Sequence, residues 1–259
     1  ATLETTGTGS ITLDGTGGNT GSDQGIFLRG TTIRSTSSAA GAGTITLNGQ
    51  SNGTSGAGIR LADGSLFSSV GGDISLTGTS ADHPGVFILD QFGGGGATIQ
   101  STGTGVDAAN ITIDGTSDGA FSGVQVDPGD FTAVDGDISI TGSSQGGSGI
   151  LLDEGSVQTT GDGTITIDGT TTSGEGIRTQ QSYSISSDGG DIMLIGNGTT
   201  GISLAGTSSV TGNNAVNVSL QGTGSTTDVS LEGTGQRIAV GTGDLTVIAN
   251  TVDMVGGVS

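Results

Sequence analysis

The sequence predicts an all-β protein, a right-handed three-sided parallel β-helix of about nine coils, and three observations lead to this fold class. One short phrase recurs along the whole chain with a basal period of about 27 residues. Within each copy, apolar and polar residues alternate strictly, as in a strand with one buried face. Only 30% of the residues are hydrophobic and 55 are Gly, a composition that suits a slender core with tight bends.

The recurring phrase is a first strand of the type ITIDG. In the copy that begins at Ile165, Ile165 and Ile167 should point inward and Thr166 outward. Strands one turn apart pair in parallel in a β-helix, so equivalent residues should stack in columns. The two expected inner columns are Ile11, Ile45, Ile74, Ile111, Ile138, Ile165, Ile192, Val218 and Leu245, and Leu13, Leu47, Leu76, Ile113, Ile140, Ile167, Leu194, Leu220 and Val247.

Each unit holds two further short strands. Longer units carry insertions between strands, at 39–43, 91–96 and 105–109, as expected for loops. The handedness of parallel crossovers predicts a right-handed coil. Second strands follow Gly25, Gly58, Gly85, Gly123, Gly149, Gly176 and Gly201, and the weaker third strands are marked by Ile33, Leu66, Ile99, Phe131, Val157, Ile185 and Val210.

Two further features of the sequence are consistent with stacked coils. A Gly such as Gly142 or Gly169 ends the first strands, where a Cβ would obstruct the corner. The residue before the first strand alternates between Asp and a neutral partner, as in Asp73, Asn110 and Asp137. Carboxylates stacked one turn apart would repel by roughly 1–3 kcal/mol per pair, so in-register stacking favours this stagger.

The composition excludes several classes of partner. The net charge is −20, from 25 acidic residues against 5 Arg and no Lys. Such a surface repels phosphate backbones and anionic lipid, so we expect no nucleic acid partner and no membrane insertion in this segment. The absence of Cys is compatible with export of an unfolded chain.

The residues also argue against an enzyme. The chain has one His and no Cys or Lys, and we expect His83 to be a solvated loop residue, not a catalytic base. The five Arg are dispersed along the chain. No cofactor is expected. Surface calcium stays open as an alternative, because GGDISLTG at 71–78 resembles calcium-binding Gly/Asp repeats without their nonapeptide spacing.

The outward column of the second strands is the candidate contact surface, because large apolar side chains alternate there with cations on a chain with only 3% aromatic residues. A lateral neighbour, a loop folded over the column, or a glycan could each cover it. The column consists of Phe27, Arg60, Phe87, Gln125, Leu151 and Arg178.

The outward column of the first strands is rich in hydroxyl groups. It resembles the Thr rows of small β-solenoid antifreeze proteins, but Met193 interrupts it. Thr at outward strand positions also follows from β-propensity alone. The row begins at Thr12, Thr46, Ser75 and Thr112, and ice binding on this flat face remains an alternative function.

Taken together, the ITLDG-type strands followed by GI-x-L strands in an acidic Gly/Ser/Thr-rich chain resemble bacterial surface exoproteins, namely filamentous-haemagglutinin-like adhesins and autotransporter passenger domains. The resemblance implies an extracellular or cell-surface stalk, adhesin or matrix fibre, with other copies or flanking repeats, and cell-surface glycans, as partners. We expect residues 1–259 to form a single array within a longer repeat protein. A filament or sheath subunit that polymerises end to end is the alternative.

Overall fold

A computed structural model describes residues 1–233 and 237–255, and these residues contain strands and no helix. None of the described residues therefore forms a helix that could cross a membrane. The first half of the chain contributes β1 (Thr2–Thr5), β2 (Ile11–Thr16), β3 (Ile26–Arg29), β4 (Thr32–Ser35), β5 (Ile45–Ser51), β6 (Ile59–Ala62), β7 (Leu66–Ser69), β8 (Ile74–Ser80), β9 (Val86–Leu89), β10 (Ala97–Ser101), β11 (Ile111–Ser117), β12 (Val124–Asp127) and β13 (Gly129–Ala133).

The second half of the chain contains longer strands that run through the corners of the coil. It contributes β14 (Ile138–Ser144), β15 (Ile150–Thr159), β16 (Ile165–Thr171), β17 (Glu175–Ser187), β18 (Ile192–Ala205), β19 (Ser209–Gly212), β20 (Val218–Glu232), β21 (Arg237–Val240), β22 (Leu245–Ile248) and β23 (Val252–Val255). Because β15, β17, β18 and β20 each serve two faces, they join the three ladders into one hydrogen-bonded sheet.

The strands form three parallel ladders, which confirms the predicted β-solenoid of about nine coils with a period near 27 residues. Every strand pairs in parallel with its equivalent one coil away. We call the ladder that begins with β2 the first face, the ladder that begins with β3 the second face, and the ladder that begins with β1 the third face. At a strand spacing of about 4.8 Å, nine coils make a rod roughly 43 Å long.

The predicted inner columns are confirmed residue by residue. Ile138 pairs with Ile165, and Ile165 pairs with Ile192, with the second column two residues further on. These side chains are buried in one continuous apolar core. Leu245 and Val247 keep the register but are 45% and 42% exposed, because the described strands cover β22 on one side only.

Two details of the predicted strands are wrong or incomplete. Phe67, and not Leu66, occupies the inner column of the third face, because Ile33 and Ile99 both pair with Phe67. The sequence interpretation also missed the third-face strand around Ile238 and two second-face strands, around Val229 and Val252, which lack the Gly-Ile signature of the others. Both second-face strands lie in register with Ile202.

The Gly in each first strand is required by a close approach of two backbones. A Cβ at Gly142 would lie 2.2 Å from the carbonyl oxygen of Gly149, and one at Gly169 would lie 2.0 Å from that of Gly176. The predicted obstruction of a Cβ is therefore confirmed, but the strand does not end at this Gly. In β14 and β16 it continues for two more residues, to Ser144 and Thr171.

The hydroxyl group of the last residue of each of these two strands binds a backbone carbonyl group of a loop from inside the coil. Ser144 Oγ donates to the carbonyl oxygen of Phe121 at 2.6 Å, and Thr171 Oγ1 donates to that of Gly147 at 2.7 Å. Both side chains are buried. Buried polar groups are tolerated when they are hydrogen-bonded, so Ser144 and Thr171 fix the loops without weakening the core. The equivalent Ser117 Oγ is buried without a hydrogen-bond partner among the described residues.

The staggered acids before the first strands have a second, structural cause. Asp73 Oδ1 accepts the N–H of Asn110, Asn110 Oδ1 accepts the N–H of Asp137, and Asp137 Oδ1 accepts the N–H of Thr164, each at 2.8 Å. Each side chain thus binds a backbone amide of the next coil. The stagger keeps carboxylates apart and also continues a hydrogen-bond ladder along the rod.

Candidate contact surface

The second face carries the outward column that the sequence predicted, in the predicted order. Phe27 pairs with Arg60, and Arg60 pairs with Phe87. The column continues through Gln125 and Leu151 to Arg178. We number the six coils that carry these residues one to six, from Phe27 in coil 1 to Arg178 in coil 6.

Arg60 lies between the two phenyl rings of its neighbours. Its guanidinium carbon is 5.4 Å from the centroid of the Phe27 ring and 5.7 Å from that of the Phe87 ring. Both distances are within the range of a cation–π contact. Burial lowers the pKa of Arg60, which the charge of Asp63 partly offsets. Arg60 Nε is buried without a hydrogen-bond partner among the described residues.

His83 extends this stack sideways: it lies in a loop, as predicted, but it is half-buried against aromatic rings and therefore only partly solvated. Its ring stacks on Phe121 with centroids 4.7 Å apart and contacts Phe87 at 5.7 Å. Its Nδ1 is buried without a partner in the described part of the chain. Burial, and then the positive charge of Arg60, lower the pKa of His83, while Asp82 acts in the opposite direction.

A second cation–π contact borders the column. The guanidinium carbon of Arg29 lies 4.1 Å from the centroid of the Phe92 ring, and Arg29 Nε is 2.6 Å from Asp63 Oδ2. Asp63 Oδ1 accepts the N–H groups of Gln91 and Phe92. Although desolvation raises it, these hydrogen bonds and Arg29 hold the pKa of Asp63 below its usual value. Asp63 therefore anchors the inserted loop at 91–96.

We call the cluster formed by these contacts the aromatic–arginine patch. Three of its rings are largely open to solvent, since Phe27 is 48%, Phe92 64% and Phe121 41% exposed. The loop that carries His83 covers Phe87 only in part, so the column is neither fully exposed nor hidden under a loop. The patch consists of Phe27, Arg29, Arg60, His83, Phe87, Phe92 and Phe121.

The patch gathers every aromatic ring that the core does not use. The chain has six Phe and one Tyr, and Phe67, Phe131 and Tyr183 are buried. The other four rings all lie in the patch. An exposed apolar cluster of this kind is typical of a contact site.

We call coils 1 to 3 the upper half of the second face and coils 4 to 6 the lower half, and the lower half is acidic. Leu151 is half-buried in coil 5, and Arg178 in coil 6 forms a salt bridge from Nη1 to Glu175 Oε1 at 3.0 Å. The structure therefore keeps these two predicted residues in the column but outside the patch. Desolvation, and then the charges of Asp153 and Glu154, raise the pKa of Asp127.

Sequence reasoning missed four members of the patch, Arg29, His83, Phe92 and Phe121, although two of them carried a readable signal. His83 and Phe121 each stand two residues before the Gly that opens a second strand, Gly85 and Gly123. Equivalent offsets in successive coils place side chains side by side. Phe92 and Arg29 gave no such signal, because the inserted loop at 91–96 has no counterpart in the neighbouring coils.

The row of hydroxyl groups on the first face is aligned as predicted but is not continuous. Thr112 pairs with Ser139, and Thr166 pairs with Met193. Asp114 and Asp168 stand two residues beyond the row on the same strands. Among the described residues, no group of three His, Asp or Glu side chains is placed to hold a metal ion.

No protein-family model, curated protein or solved structure matches this chain.

Acidification should destabilise the protein through His83. In the unfolded chain an imidazole titrates near pH 6.5, whereas the folded pKa of His83 lies lower. Between these two values the unfolded state binds more protons, so stability is lost as the pH falls. We expect the free energy of unfolding to decrease from pH 7 to pH 5 more steeply in the wild type than in His83→Phe, as measured by urea denaturation. If the free energy of unfolding depends equally on pH in the two proteins, His83 is not the source of the acid sensitivity.

Proposed function

We propose that this chain is a non-enzymatic structural and adhesive rod that is displayed outside the cell, and that the aromatic–arginine patch is its contact surface. The observation that carries the proposal is the open stack of Phe27, Arg60 and Phe87 on a stiff, in-register coil. Aromatic and Arg side chains are the residues that most often dominate protein contacts.

The architecture supports a mechanical role. Each coil is hydrogen-bonded along three faces to its neighbours, and the apolar core is continuous from coil to coil. In such an array stability is roughly a sum of repeat and interface contributions, so length can grow without a change of design. A rod of this kind can hold a patch at a fixed distance from its anchor.

The chemistry of the side chains supports a role without catalysis. The chain has no Cys and no Lys, and its one His is packed between the rings of Phe87 and Phe121. Three of the five Arg, Arg29, Arg34 and Arg178, are held in salt bridges. A surface with a net charge of −20 keeps the rod soluble and repels nucleic acid, which suits an extracellular location.

Phe87→Ser tests the contact role. The change removes one ring from beside Arg60, and because Phe87 is half-buried it should cost about 1–2 kcal/mol of stability without unfolding the rod. We expect binding of the purified rod to cell layers, glycan arrays or other copies to fall at least about tenfold. Circular dichroism should report an unchanged β-rich spectrum.

Met193→Ser provides the matched control. Met193 is also an outward, half-buried apolar residue, but it lies on the first face. Its replacement should leave every association measurement unchanged. If Phe87→Ser and Met193→Ser behave alike in all the assays, the patch is not the contact surface.

A further inference from the structure

We propose that two copies of this chain pair antiparallel through their second faces, so that the aromatic–arginine patch of each copy contacts the acidic half of the other. This inference rests on the contact role proposed above and names the occupant of the patch. It follows from the distribution of charge and bulk along one column of residues.

The upper half of the second face holds a cation without its own anion. Arg29, Arg34 and Arg178 each form a salt bridge with a carboxylate of this chain. Arg60 forms none among the described residues, and Asp63, whose charge acts on it, is already bound to Arg29. A chain with 25 acidic residues thus leaves Arg60 open to an external carboxylate.

The lower half of the same face holds three carboxylates that are not paired with a cation of this chain. The charges of Asp153 and Glu154 act on Asp127, and none of the three is in a salt bridge within the described part of the chain. Asp153 Oδ1 is buried and has no hydrogen-bond partner among the described residues. The described acidic side chains are also not placed to share a metal ion. These carboxylates are therefore available to an external cation.

The order of residues along the column is self-complementary when it is reversed. An antiparallel pair about a two-fold axis between coils 3 and 4 places Phe27 opposite Arg178, and Phe87 opposite Gln125. Arg60 then faces Leu151, with Asp153 two residues further along the same strand. Such an interface is isologous, since each contact occurs twice.

The parallel alternative is disfavoured by the same charges. A two-fold axis along the rod, opposite the column, would place each residue of the column against its own copy, including Arg60 against Arg60 and Arg178 against Arg178. Like charges that are juxtaposed at an interface cost several kcal/mol. The antiparallel arrangement instead joins opposite charges, and it brings the phenyl ring of Phe27 to the guanidinium of Arg178, a further cation–π pair.

The size of the face predicts a weak pair. Six coils span about 24 Å and a four-residue strand about 13 Å, so each copy offers roughly 300 Å², below the ~800 Å² of a standard interface. Two rods of net charge −20 also repel each other. We therefore expect pairing at high protein concentration, and stronger pairing when salt screens the long-range repulsion.

Charge-reversed variants test the proposal. Arg60→Glu alone and Asp153→Arg alone should each weaken self-association at least about tenfold in sedimentation equilibrium, because each creates two like-charge contacts. An equimolar mixture of the two variants should recover association to within about threefold of wild type, since both contacts then join opposite charges. Arg34→Glu, a matched change on the third face, should leave association unchanged.

Disulfide formation gives a second measurement that does not depend on charge. The chain has no Cys, so a disulfide between a Leu89→Cys copy and an Asp127→Cys copy reports their proximity across the two-fold axis. Ser139→Cys on the first face should form no such bond with either. A failure of Leu89→Cys and Asp127→Cys to cross-link, in folded proteins at about 1 mM, would overturn the antiparallel arrangement.

The two proposals fail in different ways. If the wild-type rod stays monomeric at about 1 mM in high salt while Phe87→Ser still loses binding to cells or glycans, the pairing is wrong and the contact role stands. If Phe87→Ser changes neither self-association nor adhesion, both proposals are wrong.

Discussion

Gly169→Ala should abolish the cooperative unfolding transition of the wild type or lower stability by about 3 kcal/mol or more. The new Cβ would lie 2.0 Å from the carbonyl oxygen of Gly176 and 2.6 Å from its carbonyl carbon. Both contacts are with backbone, so no rotamer change can relieve them. The corner between β16 and β17 would have to open, which disrupts the pairing of both strands with their neighbours. Only a few mechanisms lower stability by this much, and steric overpacking is one of them.

Gly7→Ala is the matched control for this substitution. No atom lies within 4 Å of the position that a Cβ at Gly7 would occupy. Its replacement should change the free energy of unfolding, measured by urea denaturation, by no more than about 0.5 kcal/mol. A slight gain in stability would come from the smaller conformational entropy of the unfolded chain. If both variants unfold at the wild-type midpoint, the close approach at the corner is wrong.

Ile165→Ala should lower the free energy of unfolding by about 2–5 kcal/mol. Ile165 is fully buried and stands in its column between Ile138 and Ile192. The truncated side chain leaves a cavity that the stacked neighbours cannot fill, because their backbones are held in register by hydrogen bonds on both sides. Chemical denaturation followed by circular dichroism measures the change.

Thr166→Ala tests the same strand on its outward side. Thr166 is half-buried and points away from the core, so its replacement should cost less than about 1 kcal/mol, mainly through the lower β-propensity of Ala. Similar losses for Ile165→Ala and Thr166→Ala would contradict the inward stacking of the first strand.

The repeat allowed most of the fold to be predicted, since period-two alternation and a fixed coil length together assign each residue to a column. The error at Leu66 shows the limit of this reasoning. "SLFSS" offers two adjacent apolar residues, and a shift of one residue exchanges the inner and outer sides of a strand. The pairing of Phe67 with Ile33 and Ile99 resolves the ambiguity, because the phenyl ring has to fill the core between them.

The proposed contact surface was predicted only in part, for a related reason. The column of Phe27, Arg60 and Phe87 follows from strand register alone. The packing of His83 on Phe121 depends on how two loops of different coils fold toward the rod. Phe92 reaches Arg29 because Asp63 binds the backbone of the inserted loop. Neither loop path is encoded in the strand period.

The sequence by itself determined the coil, its core columns and the order of side chains on each face, because parallel in-register pairing converts position within the repeat directly into position in space. Only the tertiary structure decided which side chains meet beyond the strands. The loops bring His83, Phe92 and Phe121 to the column, and the crowding of Asp127, Asp153 and Glu154 becomes visible only in three dimensions. Loop contacts depend on local hydrogen bonds and side-chain volume, which do not repeat from coil to coil.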